Sequence, residues 1–277
     1  MNRFFETKRV GIAGDWHGNS LWAMSAIKFF HENNINVIYQ LGDFGVWGGD
    51  AGAKYLRKMN KRLVENDQLL IVTPGNHENY NMINRWPLNE YGFQQRSDLT
   101  RIWIAPRGKV WEHNGTMIAS MGGAASVDLE HRTINKSWWI QEAITEKDIE
   151  ALRFSMEDIH KVDILLCHDI PLETKGGMSK WPLPEHIEYY SYQQQVKISE
   201  AVEIAMPDWV LHGHWHVSRV TGYDALHGPV TVVGYDMDGT YSNIGWMDLE
   251  NGVHGVYILK TQEDSLKVVE YIGNYYE

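Results

Sequence analysis

The sequence predicts an α/β fold in which helices cover a largely buried β-sheet. Short apolar runs rich in β-branched residues recur along the chain, and segments with helical periodicity lie between them. Such alternation is typical of a sheet that is covered on its faces. Each of the main apolar runs is also followed by Gly, Asp, Asn or His. This third observation indicates strands that end in functional loops.

The predicted strands follow from run length and from the content of Val, Ile and Leu. The five strands that end in polar residues are 10–14, 37–42, 69–74, 164–167 and 209–211. Residues 117–121 form a further strand-like run. The C-terminal runs 230–233, 244–247, 256–259 and 267–271 indicate hairpins or a second sheet layer.

The predicted helices are segments 20–32, 51–65, 146–156 and 191–205. Asn19 or Ser20 is expected to cap the first of them, and Thr145 the third, because these side chains accept hydrogen bonds from free N–H groups at a helix start. Helical patterns are scarcer in the last third of the chain. The two kinds of element together account for most of the sequence.

A single domain spanning residues 1–277 is the simplest organisation for this chain, because the sequence contains no repeat, low-complexity tract or linker. Two segments, 80–114 and 172–190, fit no simple element. Long insertions beside an active site are often lids or specificity loops. Surface packing is the alternative interpretation for both segments.

Composition narrows the classes of partner and the cellular compartment. The chain has 36 acidic and 25 basic side chains and a formal charge of -11, which opposes tight binding to duplex nucleic acid but not to a small phosphate ester. Its single cysteine, Cys167, fits a reducing compartment, so we expect a cytoplasmic protein. The N-terminal residues have no apolar signal region, and no run reaches the roughly 20 apolar residues that span a bilayer. We therefore expect no membrane association.

Five polar clusters follow the five strands, and they carry the chemistry. They are Asp15-Trp16-His17, Gly42-Asp43, Gly75-Asn76-His77-Glu78, His168 and Gly213-His214-Trp215-His216. Ligands of open α/β sheets bind outside the carboxyl ends of the strands, so the five loops are expected to meet in one crevice.

The side chains that would meet there are carboxylates, imidazoles and one amide, without thiolates. Such donors suit Mn, Fe or Zn ions and argue against a structural zinc–cysteine site. The set is large enough for two divalent ions. Two such ions can activate a hydroxide that bridges them and polarise phosphoryl oxygens, which predicts hydrolysis of a phosphate ester.

The ordered pattern D-x-H, G-D, G-N-H-E, H and G-H-x-H, from Asp15 to His216, resembles the calcineurin-like metallophosphoesterase superfamily. The resemblance implies a four-layer α/β/β/α sandwich and a dinuclear metal centre, with Mn favoured over Fe or Zn. It also implies a role for each matched residue. Asp15, His17 and His216 would hold the first metal, Asn76, His168 and His214 the second, Asp43 would bridge both, and His77 would be catalytic. Glu78 would contact the metal ligands and would not bind a metal itself.

Other residues near these clusters have a functional and a structural interpretation. Gly18 and Asn19 open the first helix, so their N–H groups could bind the substrate phosphate, although an ordinary helix cap is an equal alternative. Taken alone, His168 would be a core histidine, and only the other clusters favour ligation. The indoles of Trp16, Trp47 and Trp215 could stack on a nucleobase, although a role as walls of the site is the more common one. Histidines outside the motifs are expected to serve packing or the surface.

The second motif departs from the protein phosphatases of this superfamily, which extend it to G-D-x-V-D-R-G. Val46 and Trp47 stand at the positions of the Asp and Arg, and Pro74 replaces a second Arg. Because a phosphomonoester dianion benefits from Arg contacts, a phosphodiester or nucleotide-like substrate is slightly preferred. A guanidinium from an insertion is the alternative; the candidates are Arg85, Arg96, Arg101, Arg107 and Arg132.

Two other functions compete with hydrolysis of a small phosphate ester. A non-catalytic metal-binding scaffold of the same fold is one, although the intact His77 argues against it. A nuclease acting on single-stranded ends is the other. The sequence does not indicate an oligomeric state or a partner protein.

Overall fold

Two six-stranded sheets form the centre of the computed structural model, which describes residues 3–174 and 182–259. With strands numbered in chain order, the first sheet contains β1 (Arg9–Ala13), β2 (Val37–Gln40), β3 (Leu69–Val72), β4 (Ile102–Ile104), β11 (Ile244–Leu249) and β12 (Val253–Ile258). Their spatial order is β12-β11-β1-β2-β3-β4. Strands β1 to β4 are parallel, β11 pairs antiparallel with β1, and β12 pairs antiparallel with β11.

The second sheet contains β5 (Lys109–His113), β6 (Thr116–Met121), β7 (Ile164–Cys167), β8 (Trp209–His212), β9 (Arg219–Ala225) and β10 (Gly228–Gly234). Their order is β5-β6-β7-β8-β10-β9. Strands β6, β7, β8 and β10 are parallel, whereas β5 and β9 are antiparallel edge strands. The carboxyl ends of the central parallel strands carry the loops that contain the five predicted polar clusters.

Helices cover the outer face of each sheet. They are α1 (Ser20–Glu32), α2 (Gly49–Glu65), the short α3 (Tyr80–Ile83), α4 (Glu146–Ser155) and α5 (Glu185–Ala205). Buried side chains such as Phe30 and Leu56 pack α1 and α2 on the first sheet. Leu152 and Ile198 pack α4 and α5 on the second. The fold is therefore the expected four-layer α/β/β/α sandwich.

An apolar layer between the sheets holds them together. Alternate residues of the first sheet, such as Ile12 and Ile71, and of the second, such as Leu166 and Leu211, are buried in one cluster. Alternate side chains of a strand point to opposite faces, so the intervening residues pack against the helices. Burial on both faces explains why these strands appear in the sequence as continuous apolar runs.

Most predicted elements lie where the sequence placed them. Helix α1 and strand β7 have the predicted bounds, and Asn19 and Thr145 cap α1 and α4. Helix α5 begins at Glu185 rather than at residue 191, directly after Pro184, because a proline at the N-cap leaves the following helix intact.

The two unplaced segments have partly become regular structure. Segment 80–114 contains α3, β4 and β5, and the two strands lie at sheet edges. The end of segment 172–190 forms the first turns of α5, whereas 175–181 lie outside the described residues. The predicted strand 267–271 also lies outside them. A lid role for either segment stays a prediction. Among the described helices, none is long and apolar enough to cross a bilayer.

His113 bridges the two sheets as a buried, neutral imidazole. Its Nε2 lies 3.0 Å from the carbonyl oxygen of Thr7, which can only accept, so Nε2 carries the hydrogen. Its Nδ1 lies 2.8 Å from the hydroxyl of Tyr39, which in turn accepts from Trp111 Nε1 at 3.1 Å. Burial lowers the pKa of His113 to about 4. This histidine serves packing, as expected for one outside the motifs.

We expect the lowered pKa of His113 to make the fold sensitive to acid. The unfolded chain takes up a proton at this residue below about pH 6.5, whereas the folded chain does not until about pH 4, so stability falls as pH decreases through this window. Between pH 7 and 5 the contribution is about 2 kcal/mol. Urea unfolding at both pH values should show a smaller loss in His113→Gln. The exposed His160→Gln is the control, and an unchanged pH difference in His113→Gln would contradict this assignment.

Candidate active site

The five predicted clusters meet at one edge of the sandwich. Loops after β1, β2 and β3 supply the first three clusters from the first sheet, and loops after β7 and β8 supply the other two from the second. The expectation of a crevice above one open sheet was therefore incomplete. The site lies where the carboxyl ends of two facing sheets converge.

One group of ligand atoms surrounds Asp15. The ligand atoms of Asp15, His17 and His216 all lie within 4.8 Å of one another. His216 Nε2 is 3.1 Å and His17 Nε2 is 3.9 Å from Asp15 Oδ2. Asp15 is completely buried, so its charge needs a partner that water cannot supply. These three side chains are arranged as one cation would need them.

A second group forms around Asp43. Asp15, Asp43 and His168 also have ligand atoms within 4.8 Å of one another. Asp43 Oδ1 lies 3.4 Å from His168 Nε2, and Asp43 Oδ2 lies 3.6 Å from His17 Nε2. Its two carboxylate oxygens thus face different histidines, as a bridging ligand requires. Asn76 Oδ1 joins this group at 3.0 Å from His168 Nε2.

The environment of His214 indicates whether these residues suit a metal ion. Its Nε2 is buried and has no hydrogen-bond partner among the described residues, which is a costly arrangement for a polar atom. Its ring centroid lies 5.0 Å from that of His168. Burial lowers the pKa of His214 well below the ordinary value, so its nitrogen keeps a free lone pair. A divalent cation would satisfy this atom, and the donor set of imidazoles, carboxylates and one amide fits Mn, Fe or Zn.

The backbone of the site is strained. His17, Asp43, His214 and His216 have φ angles of 43°, 52°, 66° and 50°, in the left-handed region that non-glycine residues seldom adopt. Such residues cost about 1–3 kcal/mol each and persist where the surrounding structure holds them, often at functional sites. Here the strain turns four predicted ligands towards the same centre.

Two motif glycines leave space for the ligands. A Cβ atom at Gly75 would collide with the Asp43 carboxylate and come close to His168 Nε2, and one at Gly213 would collide with the Asp15 carboxylate. The glycines of G-N-H-E and G-H-x-H are therefore required by the close approach of neighbouring loops.

Glu78 joins the loops that follow β2 and β3. Its buried carboxylate accepts hydrogen bonds from the N–H groups of Asp43 and Gly45, both at 3.0 Å, and from that of Gly75 at 2.5 Å. Its contacts are with the backbone of the ligand loops, in agreement with the expected supporting role.

His77 lies at the open side of the group. Its ring is 28% exposed, and its backbone N–H donates to Asp43 Oδ1 at 2.8 Å. The sequence left open which arginine, if any, reaches the site, and the structure places Arg132 there. Arg132 Nη2 lies 2.8 Å from His77 Nδ1 and 2.5 Å from His77 Nε2, while Asp128 accepts from the same guanidinium at 2.6 and 2.7 Å. Burial lowers the pKa of His77, and Arg132 contributes in the same direction.

Asp238 is a site residue that sequence reasoning missed. Its Oδ1 lies 2.8 Å from His17 Nδ1, and its Oδ2 accepts from Asn19 Nδ2 at 2.7 Å. Since a carboxylate accepts from Nδ1–H, Asp238 turns the other ring nitrogen of His17 towards Asp15 and Asp43. Asp238 follows β10 in the chain, so the rule that flagged the five clusters could also have flagged it.

Gly18 and Asn19 are brought to the rim of the site, but their N–H groups are already used. Gly18 N–H donates to the Phe44 carbonyl at 3.1 Å and Asn19 N–H to the Trp16 carbonyl at 2.8 Å. The Asn19 side chain caps α1. The interpretation as an ordinary cap therefore describes Asn19, and substrate binding by this pair stays a prediction.

The three tryptophans beside the motifs have structural partners. Trp16 is completely buried. Trp47 Nε1 donates to the His77 carbonyl at 3.1 Å, and Trp215 Nε1 donates to Asp169 Oδ1 at 2.9 Å. These contacts hold the loops and agree with the expected role as walls of the site.

The chain belongs to the calcineurin-like phosphoesterase family, whose model matches residues 8–218. This family uses dinuclear divalent metals, and its membership makes the chain a phosphoesterase by class. Strand ends from β1 to β8 all fall inside the matched range. The match therefore includes every predicted ligand.

Several solved structures are similar to the chain at low sequence identity. One that is 11% identical has a TM-score of 0.56 and covers 87% of this chain and 95% of its own. A dimetal phosphatase from Danio rerio is 11% identical, with a TM-score of 0.49 and coverage of 91% and 97%. The protein TT1561 of Thermus thermophilus is 14% identical, with a TM-score of 0.49 and coverage of 87% and 95%. No curated protein matches the chain.

Proposed function

We propose that this protein hydrolyses a small phosphate ester at two divalent cations, with Asp43 between them and His77 facing the substrate. The observation that carries the proposal is the division of the ligand atoms into two groups that share the buried Asp15 carboxylate, with one Asp43 oxygen facing His17 of the first group and the other facing His168 of the second. The orphaned Nε2 of His214 supports it, because a cation would satisfy that atom. Manganese is the proposed metal, and iron or zinc are the alternatives.

Each ligand has a proposed place in the centre. Asp15, His17 and His216 hold the first cation, Asn76, His168 and His214 hold the second, and Asp43 contacts both. When bound, the two cations supply a lowered pKa for water and a positive field for the phosphoryl oxygens. Asp238 and Glu78 keep the ligands in place through the hydrogen bonds described above.

His77 is the proposed catalytic residue. Arg132 Nη2 lies within hydrogen-bonding distance of both ring nitrogens of His77. Because the guanidinium has only donor atoms, it favours a neutral imidazole, in which one ring nitrogen accepts and the other carries a hydrogen that can be donated to a substrate oxygen. In this position His77 stabilises developing negative charge or protonates the leaving oxygen.

A phosphodiester or nucleotide-like ester is the proposed substrate class. The diester is preferred because the motifs lack the arginines of the protein phosphatases. Arg132 restores one guanidinium beside His77, but Asp128 accepts two hydrogen bonds from it and offsets its charge. One compensated guanidinium is a weak site for a phosphomonoester dianion, so the preference for the monoanionic diester is retained.

A phosphomonoester is the second candidate, and the contact of Arg132 with His77 favours it. The scaffold and nuclease functions have less support. A scaffold without catalysis has no need of the intact His77, and the charge of -11 opposes a nuclease that acts on single-stranded ends. A cytoplasmic location, proposed from the single cysteine, belongs to the same hypothesis.

We expect the manganese-loaded protein to cleave an aryl phosphodiester with a higher kcat/KM than the matching monoester. Arg132→Met should lower both kcat/KM values by a similar factor, because the proposed role of the guanidinium is to support His77 and not to bind the charge of the substrate. Steady-state kinetics at equal metal loading measures this, with the exposed Arg153→Met as control. The second candidate would be established if the monoester were the preferred substrate and if only its cleavage fell, by about 10-fold or more, in Arg132→Met.

Two further outcomes concern the other functions. Failure to cleave either ester with two Mn²⁺ ions bound would favour the scaffold. Absence of binding to short oligonucleotides at low salt would exclude the nuclease.

A further inference from the structure

Asn76 is connected to a buried carboxylate that no sequence motif contains. The Asn76 Nδ2 donates to Ser126 Oγ at 3.1 Å, and Ser126 Oγ donates to Glu142 Oε2 at 2.6 Å. All three side chains are buried. On its other side, Asn76 Oδ1 faces His168 Nε2. The amide therefore lies between the proposed second cation and a polar chain that leads away from it.

The surroundings of Glu142 are built for an ionised carboxylate. Its Oε1 accepts from the Ser126 N–H at 2.8 Å and from the Tyr190 hydroxyl, on α5, at 3.1 Å. With the Ser126 hydroxyl, three groups donate to it. Burial raises the pKa of Glu142 to about 7, and the hydrogen bonds from Ser126 and Tyr190 oppose the rise. At pH 8 Glu142 is therefore mostly ionised.

We propose that Glu142 and Ser126 are positioning residues that fix which way the Asn76 amide points, an inference that rests on the proposed metal centre. An ionised carboxylate can only accept, so the Ser126 hydroxyl must donate its hydrogen to Glu142. Ser126 Oγ can then only accept from Asn76. Only Nδ2 can supply that hydrogen, and Oδ1 is left facing the cation.

The direction matters because the two ends of an amide differ in charge. A flipped Asn76 would point an NH₂ group at the cation, which repels it, and would leave the Ser126 oxygen without a donor. The orientation follows from donor and acceptor chemistry, so it is independent of the contact between the amide and His168.

Glu142→Gln should reverse the direction of this chain. The Ser126 N–H and the Tyr190 hydroxyl hold the new carbonyl oxygen at the Oε1 position, so the new NH₂ group faces Ser126 Oγ. Among these groups only the Asn76 oxygen can then accept the Ser126 hydroxyl hydrogen, so we expect that oxygen to turn away from the cation. Titration calorimetry with Mn²⁺ at pH 8 should show two sites in the wild type. In Glu142→Gln, we expect one of them to be about 10- to 100-fold weaker.

A second substitution tests direction rather than structure. Asn76→Asp puts an acceptor at both positions, so combined with Glu142→Gln it can accept from Ser126 and still present an oxygen to the cation. We expect Asn76→Asp to strengthen Mn²⁺ binding more in the Glu142→Gln background than in the wild type, where the Ser126 hydrogen is already used. Asn76→Asp adds the same negative charge in both backgrounds, so the difference between the two gains removes the effect of that charge.

The outcomes separate the inference from the proposed function. Failure of the wild type to bind two Mn²⁺ ions would overturn the metal centre itself. Two wild-type sites with unchanged affinity in Glu142→Gln, or an equal gain from Asn76→Asp in both backgrounds, would overturn the positioning role alone. Circular dichroism checks folding of each variant. Should Glu142→Gln not fold, Ser126→Ala replaces it: removing the hydroxyl frees the amide to flip, with the same expected weakening and the same rescue by Asn76→Asp.

Discussion

Asp43→Asn is expected to abolish measurable turnover and to remove at least one of the two cations. Its two carboxylate oxygens face different histidines, and the substitution replaces one of them by an NH₂ group that repels a cation. We expect metal affinity to fall about 100-fold or more, at the upper end of the effects seen for groups that support metal sites. Metal content after dialysis and kcat together measure the effect.

The fold should survive this substitution. Asp43 has a φ of 52°, and asparagine adopts the left-handed region as readily as aspartate. Asp50→Asn, at an exposed position at the start of α2, is the matched control for the loss of one charge. A full complement of two ions in Asp43→Asn would show that Asp43 does not bridge them.

His77→Ala is expected to lower kcat about 100- to 10,000-fold while both cations stay bound, because general acid catalysis contributes effects of this size. The imidazole lies at the open side of the site, and its backbone N–H, which the substitution keeps, makes the hydrogen bond to Asp43. Metal analysis and steady-state kinetics on the same preparation measure both quantities. Metal loss equal to that in Asp43→Asn would mean that His77 is a ligand.

The choice of leaving group separates the two roles of His77. Protonation of the leaving oxygen matters most for a poor leaving group, so the loss in His77→Ala should grow with the pKa of the released alcohol or phenol. Stabilisation of charge on the phosphoryl oxygens would produce a similar loss with every ester. His160→Ala, at an exposed position, is the control for removal of an imidazole.

Much of the fold was predictable because its signals are local. Strand β7 and helix α1 have the bounds that their apolar patterns predict, since burial on both faces makes a strand a continuous apolar run. The start of α5 was missed because the polar residues after Pro184 carry little of that pattern. Segment 80–114 was left open because its strands β4 and β5 lie at sheet edges, where the apolar runs are short or interrupted by polar residues.

The sequence by itself determined the α/β class, the loops that hold the candidate site residues and the donor chemistry of those residues, because strands and the residues that follow them are contiguous in the chain. Only the tertiary structure decided which distant residues complete the site. Arg132 contacts His77 across 55 positions, and Asp238 contacts His17 across 221. Ser126 and Glu142 likewise reach Asn76 only through the packing of the second sheet and its loops. These partners carry no motif, because a hydrogen bond between remote residues depends on how the two sheets pack and leaves no periodic trace in the chain.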